Sequence, residues 1–419
     1  MEYDDSEKAT EVAERMRAFM DEVVLPTERE HLASGEPVSH SRIDELREEA
    51  QERDLWGPQI PEEYGGQGLE FREILPAFEQ VGRSLIGATA VRANAPDEGN
   101  IHTLEMVGTE DQKEEWMQPL IDGEMTSGFS MTEPLQGGGS DPKMLQTTAT
   151  KDGDEWVING HKWWTSGGRE ADVLLVMART DFDAHPYEGC SFVLVPTDTE
   201  GVNVVRNIPH LGGEGIVEGG GIGHAEIEYD DVRVPVENTL GEENRGFQVA
   251  QMRLGPARLT HCMRYTGMAT RALDVAKAYL DEREAFDSSL SDKQALRHRI
   301  ADAETKLHAG RTMVRNAAWR ITEGDQARVE VAMAKTFTAN ATQEAIDLAL
   351  QCCGGNGIGK DLPIAYFYES VRTFRIVDGA DEVHKRVIAR DASRTSRARR
   401  SNTSPGTSTR STTSSIDRS

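Results

Sequence analysis

The sequence predicts an α+β multidomain fold. An N-terminal helical domain (1–127) precedes a central β-barrel or sandwich domain (128–240) and a C-terminal four-helix-bundle domain (241–393), with a Ser/Thr/Arg tail at 394–419. Two observations predict it. Apolar residues recur at helical spacing in the first and last parts of the chain, and at strand spacing between them. At 419 residues the chain is also too long for one small core.

In residues 1–53, Val12, Met16, Phe19, Met20 and Val23 stripe one helix face among charges. The stretch from Leu55 to Gly68 is broken by Pro58, Pro61 and four glycines, so a loop is expected. Helices are expected at 71–83 and 110–121, with Thr109 as the N-cap of the second. Near 128 the period changes. Short strand-like runs at 147–149, 156–158 and 161–164 are separated by Asp152-Gly153 and Asn159-Gly160, both read as hairpin turns. Val173–Met177 and Ser191–Val195 read as buried strands, and residues 224–229 alternate as a half-exposed strand does. From 246 the helical period returns, predicting helices near 247–281, 293–322, 326–352 and 380–391, interrupted by the glycine-rich insert 354–359. Residues 394–419 carry almost nothing apolar and are expected to be disordered.

The formal net charge of −26 argues against nucleic acid or an anionic membrane as a partner. Spread along the helices, it suggests a salt-adapted surface and a halophilic source. Cys190, Cys262, Cys352 and Cys353 show no metal-ligand spacing and read as reduced thiols, which fits a cytoplasmic protein. No apolar run approaches the ~18 residues of a membrane span.

Several stretches could carry chemistry. Phe129 to Asp141 includes Gly137-Gly138-Gly139, flanked by the hydroxyls of Thr132 and Ser140. Bare amides plus hydroxyls suit a phosphate or the polar edge of a ring. Trp163-Trp164-Thr165-Ser166 reads either as core or as a cover for a flat heteroaromatic ring. Asp378 lies between an apolar run and Gly379. It reads either as an N-cap region for the last helix, with Asp381 and Glu382 favoured by the helix dipole, or as a desolvated general base whose pKa burial raises. His384 reads as a helix-face histidine. Residues 354–361 nearly spell a P-loop, but Asp361 stands where Ser or Thr should, and a helix precedes it. The glycine-rich run 212–223 lacks dinucleotide-fold spacing.

Taken in order, these stretches resemble the acyl-CoA dehydrogenase family. The resemblance is carried by residues 60–68, Met131 to Pro134 with Gly139 to Asp141, Trp164 to Ser166, Asp231 to Pro235, Arg283 to Phe286 with Gln294, and Gln351 with Gly354, Gly355 and Gly357. Trp163-Trp164, Arg253 to Pro256 and Asp378 to His384 are similar to the subgroup whose larger animal members carry a phosphotransferase-like domain.

The resemblance implies bound FAD and a homodimer or homotetramer whose flavin sites are shared between subunits. It implies α,β-dehydrogenation of an acyl-CoA thioester to the trans-2-enoyl-CoA, as part of fatty-acid β-oxidation, with electrons passed to an electron-transferring flavoprotein. Met131 joins the cofactor-binding set, and Thr132, Trp164 and Ser166 contact the isoalloxazine. Ser140 reaches the pyrophosphate or the acyl-CoA, with Arg258 also assigned to substrate. Arg283, Phe286, Gln294, Gln351, Gly354 and Gly355 hold the adenosine-diphosphate part of a neighbouring subunit's flavin. No metal is implied. Asp378 stands where the family's usual glutamate base does, while the alternative base position, on the first bundle helix, is Ala257. The loop from Glu133 to Asp141 is longer than the family's common form. A flavin oxidase of the same fold, of acyl-CoA or nitroalkane type, and a non-catalytic flavin- or acyl-CoA-binding protein are the competing readings.

Overall fold

The computed structural model describes residues 5–213 and 215–403, with side chains through residue 393. Helices α1 (Glu7–Phe19), α2 (Leu25–Ser34), α3 (His40–Glu52), α4 (Leu75–Gly82), α5 (Gly87–Ala90), α6 (Asp97–Val107), α7 (Glu110–Gln112) and α8 (Gln118–Asp122) form the first unit. Val12, Met16, Phe19, Met20 and Val23 are all buried, as their spacing requires. Thr109 caps α7: its Oγ1 accepts from Gln112 N at 3.2 Å, and the Gln112 side chain returns the bond. The helix expected at 110–121 is interrupted by a π turn at Lys113–Met117.

The sheet holds β1 (Ser127–Ser130), β2 (Thr148–Asp152), β3 (Glu155–Ser166), β4 (Val173–Arg179), β5 (Cys190–Pro196), β6 (Val202–Asn207), β7 (His224–Pro235) and β8 (Thr239–Leu240). The order is β6-β7-β3-β1-β4-β5-β8, with β2 also paired to β3 and β4. Thus β1 and β2 lie end to end in the gap between β3 and β4, and residues 131–147 leave the sheet between them. Alternation decides the two faces. Leu174 and Val176 join Trp156, Ile158, Val193 and Ile227 in a core the sheet curls around. Val173 and Leu175 face the other way, against Trp116, Leu120 and Val249.

Asp152-Gly153 makes the expected hairpin, with Gly153 at φ 68. Asn159-Gly160 does not turn: β3 runs straight through it with a bulge. A Cβ on Gly160 would stand 2.4 Å from Thr147 Oγ1, so this glycine serves close packing rather than a reversal. Asn159 pairs instead with Asp231, through Nδ2 to Oδ1 at 2.9 Å.

The last unit comprises α9 (Gly246–Glu282), α10 (Gln294–Thr322), α11 (Arg328–Cys353), the single turn α12 (Gly355–Ile358), α13 (Ile364–Phe374) and α14 (Asp381–Thr403). α9, α10 and α11 run alternately up and down and pack on one another. α13 lies outside the expected helices, although Ile364, Phe367, Val371 and Phe374 all point into the core. α14 continues through residue 403, into the segment expected to be disordered. Arg and Ala there favour helix, and no Pro or Gly interrupts before Pro405. The rest of that segment lies outside the described residues. Leu259, Cys262, Met263 and Val314 share a core with α1 and α4, so the first unit packs on the bundle. All four cysteines are free and buried. No described helix is long and apolar enough to cross a membrane, and no described cluster of His, Cys, Asp or Glu could hold a metal ion.

Candidate active site

Where β1 ends, the chain enters the glycine stretch. Glu133, buried, organises it: Oε2 accepts from Gly138 N at 2.8 Å and from Gln146 N at 2.7 Å, and Oε1 accepts from Thr147 N at 2.8 Å. Lys162 of β3 completes the set from below, 2.9 Å from Glu133 Oε1 and 2.9 Å from the Met131 carbonyl oxygen. The three glycines are therefore not uniformly bare. Gly137 N donates to Pro134 O at 2.8 Å and Gly138 N to Glu133. A Cβ on Gly137 would sit 2.3 Å from Glu133 Oε2, whereas Gly139 faces open space and Ser140 is exposed. Among the described residues of this loop, the Gly139–Ser140 end is the part that offers unused groups to a ligand.

Beside it, β3 is held by Trp163 N donating to Thr132 O at 3.0 Å. A register shift between Lys162 and Thr165 and a left-handed Trp164 (φ 55) turn that indole outward. Trp164 is 41% exposed, so it is not core. His210 and His224 stand around it at ring-centroid distances of 6.1 and 5.6 Å. Ser166 Oγ lies 3.0 Å from His224 Nδ1. Burial and the neighbouring His210 push His224 down to about 4, so it stays neutral at pH 7. An aromatic face beside the Thr132 and Ser166 hydroxyls is the surface a flat heteroaromatic ring stacks on and hydrogen-bonds at its edge.

The second centre is Asp378, between α13 and α14. Asp378 and Gly379 both take left-handed backbone, φ 56 and φ 94. The Asp378 carbonyl oxygen accepts from Arg258 Nε at 2.8 Å and lies 3.2 Å from His384 Nε2. Its Oδ2 lies 2.5 Å from His261 Nδ1 of α9. Among the described residues, the carboxylate bonds to His261 rather than to a backbone N–H of the last helix. Burial pushes this carboxyl up, as expected, but the His261 hydrogen bond, the charge His261 carries when protonated, and the guanidiniums of Arg258 and Arg253 more than offset it. The group lies well below the usual carboxylate range. The expected raised pKa is therefore corrected: α9 supplies a histidine and two guanidiniums that the local sequence around Asp378 does not reveal. His384 lies on the last helix, as read, on its buried side, and burial with Arg258 and Lys335 pushes it down to about 4. Asp381 is also buried, accepting from Arg375 Nε and Asn340 Nδ2, each at 3.0 Å, so it does more than favour a helix dipole.

Arg253 ties the two centres together. Its guanidinium lies 3.9 Å from the Phe129 ring centroid on β1, its Nε donates to Asn100 Oδ1 at 2.9 Å, and its charge acts on Asp378.

Arg283, Phe286, Gln294, Gln351, Gly354 and Gly355 are not brought to either centre. They cluster where α9 ends, α10 begins and α11 ends. Arg283 is roughly 33 Å along the α9 axis from His261, at 1.5 Å rise per residue. Its guanidinium is exposed and has no partner among the described residues. Phe286 is 88% exposed at φ 55, at the tip of a small hairpin (Glu284–Ala285 with Ser288–Ser289). Gly354 and Gly355 face open space.

Sequence reasoning missed His261, Arg253, Lys335, Lys162 and His224. His261 carried one signal: it follows Ala257 by four residues, on the same helix face beside Arg258.

Family models described as acyl-CoA dehydrogenase N-terminal, middle and C-terminal domains match residues 6–124, 128–232 and 244–393. A Mycobacterium tuberculosis protein named "Probable acyl-CoA dehydrogenase FadE2" is 40% identical over 402 residues, covering 93% of this chain and 96% of that protein. Acyl-CoA dehydrogenase family member 11 of Gallus gallus is 36% identical over 398 residues, covering 92% of this chain but 50% of that protein, so the present chain spans about half its length. The solved butyryl-CoA dehydrogenase of Megasphaera elsdenii superposes with a TM-score of 0.81 at 27% identity, covering 94% of this chain and 100% of that one.

Proposed function

The chain belongs to the acyl-CoA dehydrogenase family of FAD-dependent oxidoreductases, and on that premise we propose that it desaturates an acyl-CoA thioester between its α and β carbons, with Asp378 as the base. The observation that carries the reading is the carboxylate of Asp378, fixed through its backbone by Arg258 and through Oδ2 by His261. A base held on both sides is already oriented, and orientation is much of what a proton abstraction needs.

The residues of the lip fit a flavin. Trp164 offers a ring face, Thr132 and Ser166 offer hydroxyls, Met131 lies beside Thr132 in the chain, and the Gly139–Ser140 end offers an amide and a hydroxyl to a phosphate. When bound, FAD supplies the hydride acceptor for the β carbon. Asp378 takes the α-proton, so the α C–H bond breaks, an O–H bond forms on the carboxyl, and the electron pair stays on the thioester as an enolate. Arg258 and His384 hold the main chain of the base during that transfer. We assign Ser140 and Arg258 to the substrate side as well, Arg258 through the part of its guanidinium that Asp378 does not use.

Arg283, Phe286, Gln294, Gln351, Gly354 and Gly355 are proposed to grip the adenosine-diphosphate part of a flavin bound to a second copy of the chain. Their separation from Asp378 along α9 supports this, because one dinucleotide is not reached from both ends of one bundle. A dimer or tetramer follows, with electrons leaving to an electron-transferring flavoprotein. We propose the division into 1–127, 128–240 and 241–393 as the working units.

Anaerobic mixing with saturated acyl-CoAs from butyryl- to palmitoyl-CoA tests the reaction. Flavin bleaching followed by slow reoxidation in air supports a dehydrogenase. Rapid reoxidation in air makes it an oxidase. Bleaching by none of them leaves a binding protein.

A further inference from the structure

His261 has two ring nitrogens in unlike settings. Nδ1 lies 2.5 Å from Asp378 Oδ2, while Nε2 is buried with no hydrogen-bond partner among the described residues. The ring is held edge-on to Phe374, at a centroid distance of 6.2 Å and an interplanar angle of 79°. A nitrogen facing a carboxylate this closely carries the proton, so Nδ1 is the donor. In the neutral ring, Nε2 then bears only a lone pair. A second proton there would make a buried N–H without an acceptor, in a pocket already holding the charges of Arg253 and Arg258. Leaving a lone pair unpaired is the smaller penalty.

The other face of Asp378 is also constrained. Arg258 and His384 hold its carbonyl oxygen, and its backbone is left-handed. With Oδ2 engaged, Oδ1 is the oxygen left without a partner among the described residues.

We propose that His261 is a positioning residue acting through Asp378. As a neutral imidazole it donates Nδ1–H to Oδ2 and turns Oδ1 to the substrate; when Nε2 gains a proton, the cation stabilises the carboxylate and silences the base. This rests on Asp378 being the base. In the transfer, the α C–H bond breaks and the O–H bond forms on Oδ1, the electron pair stays on the thioester, and the His261 proton remains on Nδ1. The groups facing the pair are Arg253, Arg258 and Cys262 of α9, Lys335 of α11 and His384 of α14, with Asp381 acting on Lys335 and paired in turn with Arg375. Asp97 and Glu98 of α6 face Arg253. His384, held at about 4, stays neutral near pH 7. The sign follows: abstraction slows as pH falls and His261 becomes cationic.

The test is anaerobic stopped-flow flavin reduction across pH on the holoenzyme, with whichever acyl-CoA of the butyryl-to-palmitoyl series reduces wild type fastest. Wild type is expected to lose about tenfold or more in rate on the acid limb, the scale of a mis-protonated catalytic pair. His261→Asn keeps an N–H where Nδ1 stands but cannot become a cation. It is expected to flatten that limb and to stay within about tenfold of wild type at high pH. His261→Phe keeps bulk and loses the donor, and is expected to reduce flavin roughly 10² slower at every pH. An unchanged acid limb in His261→Asn overturns the proposal, and so does wild-type reduction by His261→Phe. If His261→Phe does not fold, the His261→Asn profile still decides. Asp378→Asn, run alongside, separates the two levels. If it reduces flavin normally, or no acyl-CoA reduces wild type, the base assignment falls and this inference with it. If it is slow while His261→Asn keeps the limb, only the role of His261 falls.

Discussion

The ammonium of Lys162 lies 2.9 Å from Glu133 Oε1, and both side chains are shut off from solvent. Burial pushes Lys162 down to about 8 against the pull of Glu133. Burial also pushes Glu133 up, but the Lys162 charge and the bonds from Thr147, Lys162 and Gly138 outweigh it, leaving the carboxyl below its ordinary range. The pair stays ionised at pH 7 and anchors both ends of the glycine loop beneath Thr132 and Ser140. This anchor holds the glycine loop to one shape.

Glu133→Gln strands a buried ammonium. It is expected to destabilise the protein by about 3–5 kcal/mol, the range for breaking a buried pair from one side. Adding Lys162→Met removes the stranded charge and is expected to recover part of that loss. Urea unfolding of the three proteins measures it; a double variant weaker than Glu133→Gln alone would contradict the charge argument.

Asp378→Asn keeps the volume but not the base. It is expected to bind FAD and acyl-CoA normally while reducing flavin slower by roughly 10² or more. Asp378→Glu pushes one more methylene toward His261 and is expected to retain partial activity. Single-turnover reduction under anaerobic conditions distinguishes them.

Arg283→Ala is expected to leave the melting temperature of the apoprotein unchanged, because the guanidinium is exposed and unpaired within the described chain. It is expected to lose FAD, since alanine cannot replace a charged fork on a pyrophosphate. The flavin-to-protein absorbance ratio after gel filtration reports it, and an undiminished ratio would remove Arg283 from the site.

His224 links pH to stability. Its folded pKa is depressed from 6.5 to about 4 by burial and His210. Between those values the unfolded chain binds the extra proton and the folded one does not, so this contribution is full above about 6.5 and falls away toward about 4. His224→Asn, which keeps a group where Nδ1 meets Ser166, is expected to lose melting temperature less steeply on acidification. Parallel slopes for variant and wild type would show that His224 is not responsible.

The net charge of −26 carries the proposal of a halophilic surface. Raising KCl from about 0.1 M to about 2 M shortens the screening length several-fold and is expected to raise the melting temperature. An unchanged or lower value would remove the salt-adaptation reading.

What the sequence determined by itself was whatever depends on near neighbours in the chain. The spans of α9, α10 and α11, the Thr109 cap and the Asp152-Gly153 hairpin follow from periodicity and turn chemistry within a few residues. So does the identity of the motif residues, which made the family legible. The tertiary structure alone decided what depends on distant groups meeting. Gly160 lies inside a strand because Thr147 comes against it. Trp164 faces outward because a bulge and a left-handed residue turn it there. Asp378 is a depressed rather than a raised carboxyl because α9, more than a hundred positions earlier, brings His261, Arg258 and Arg253 to it. A pKa is set by the dielectric and the charges around a group in space, and neither is ordered along the chain. Spacing could nominate Asp378; only packing could set its partners and its basicity.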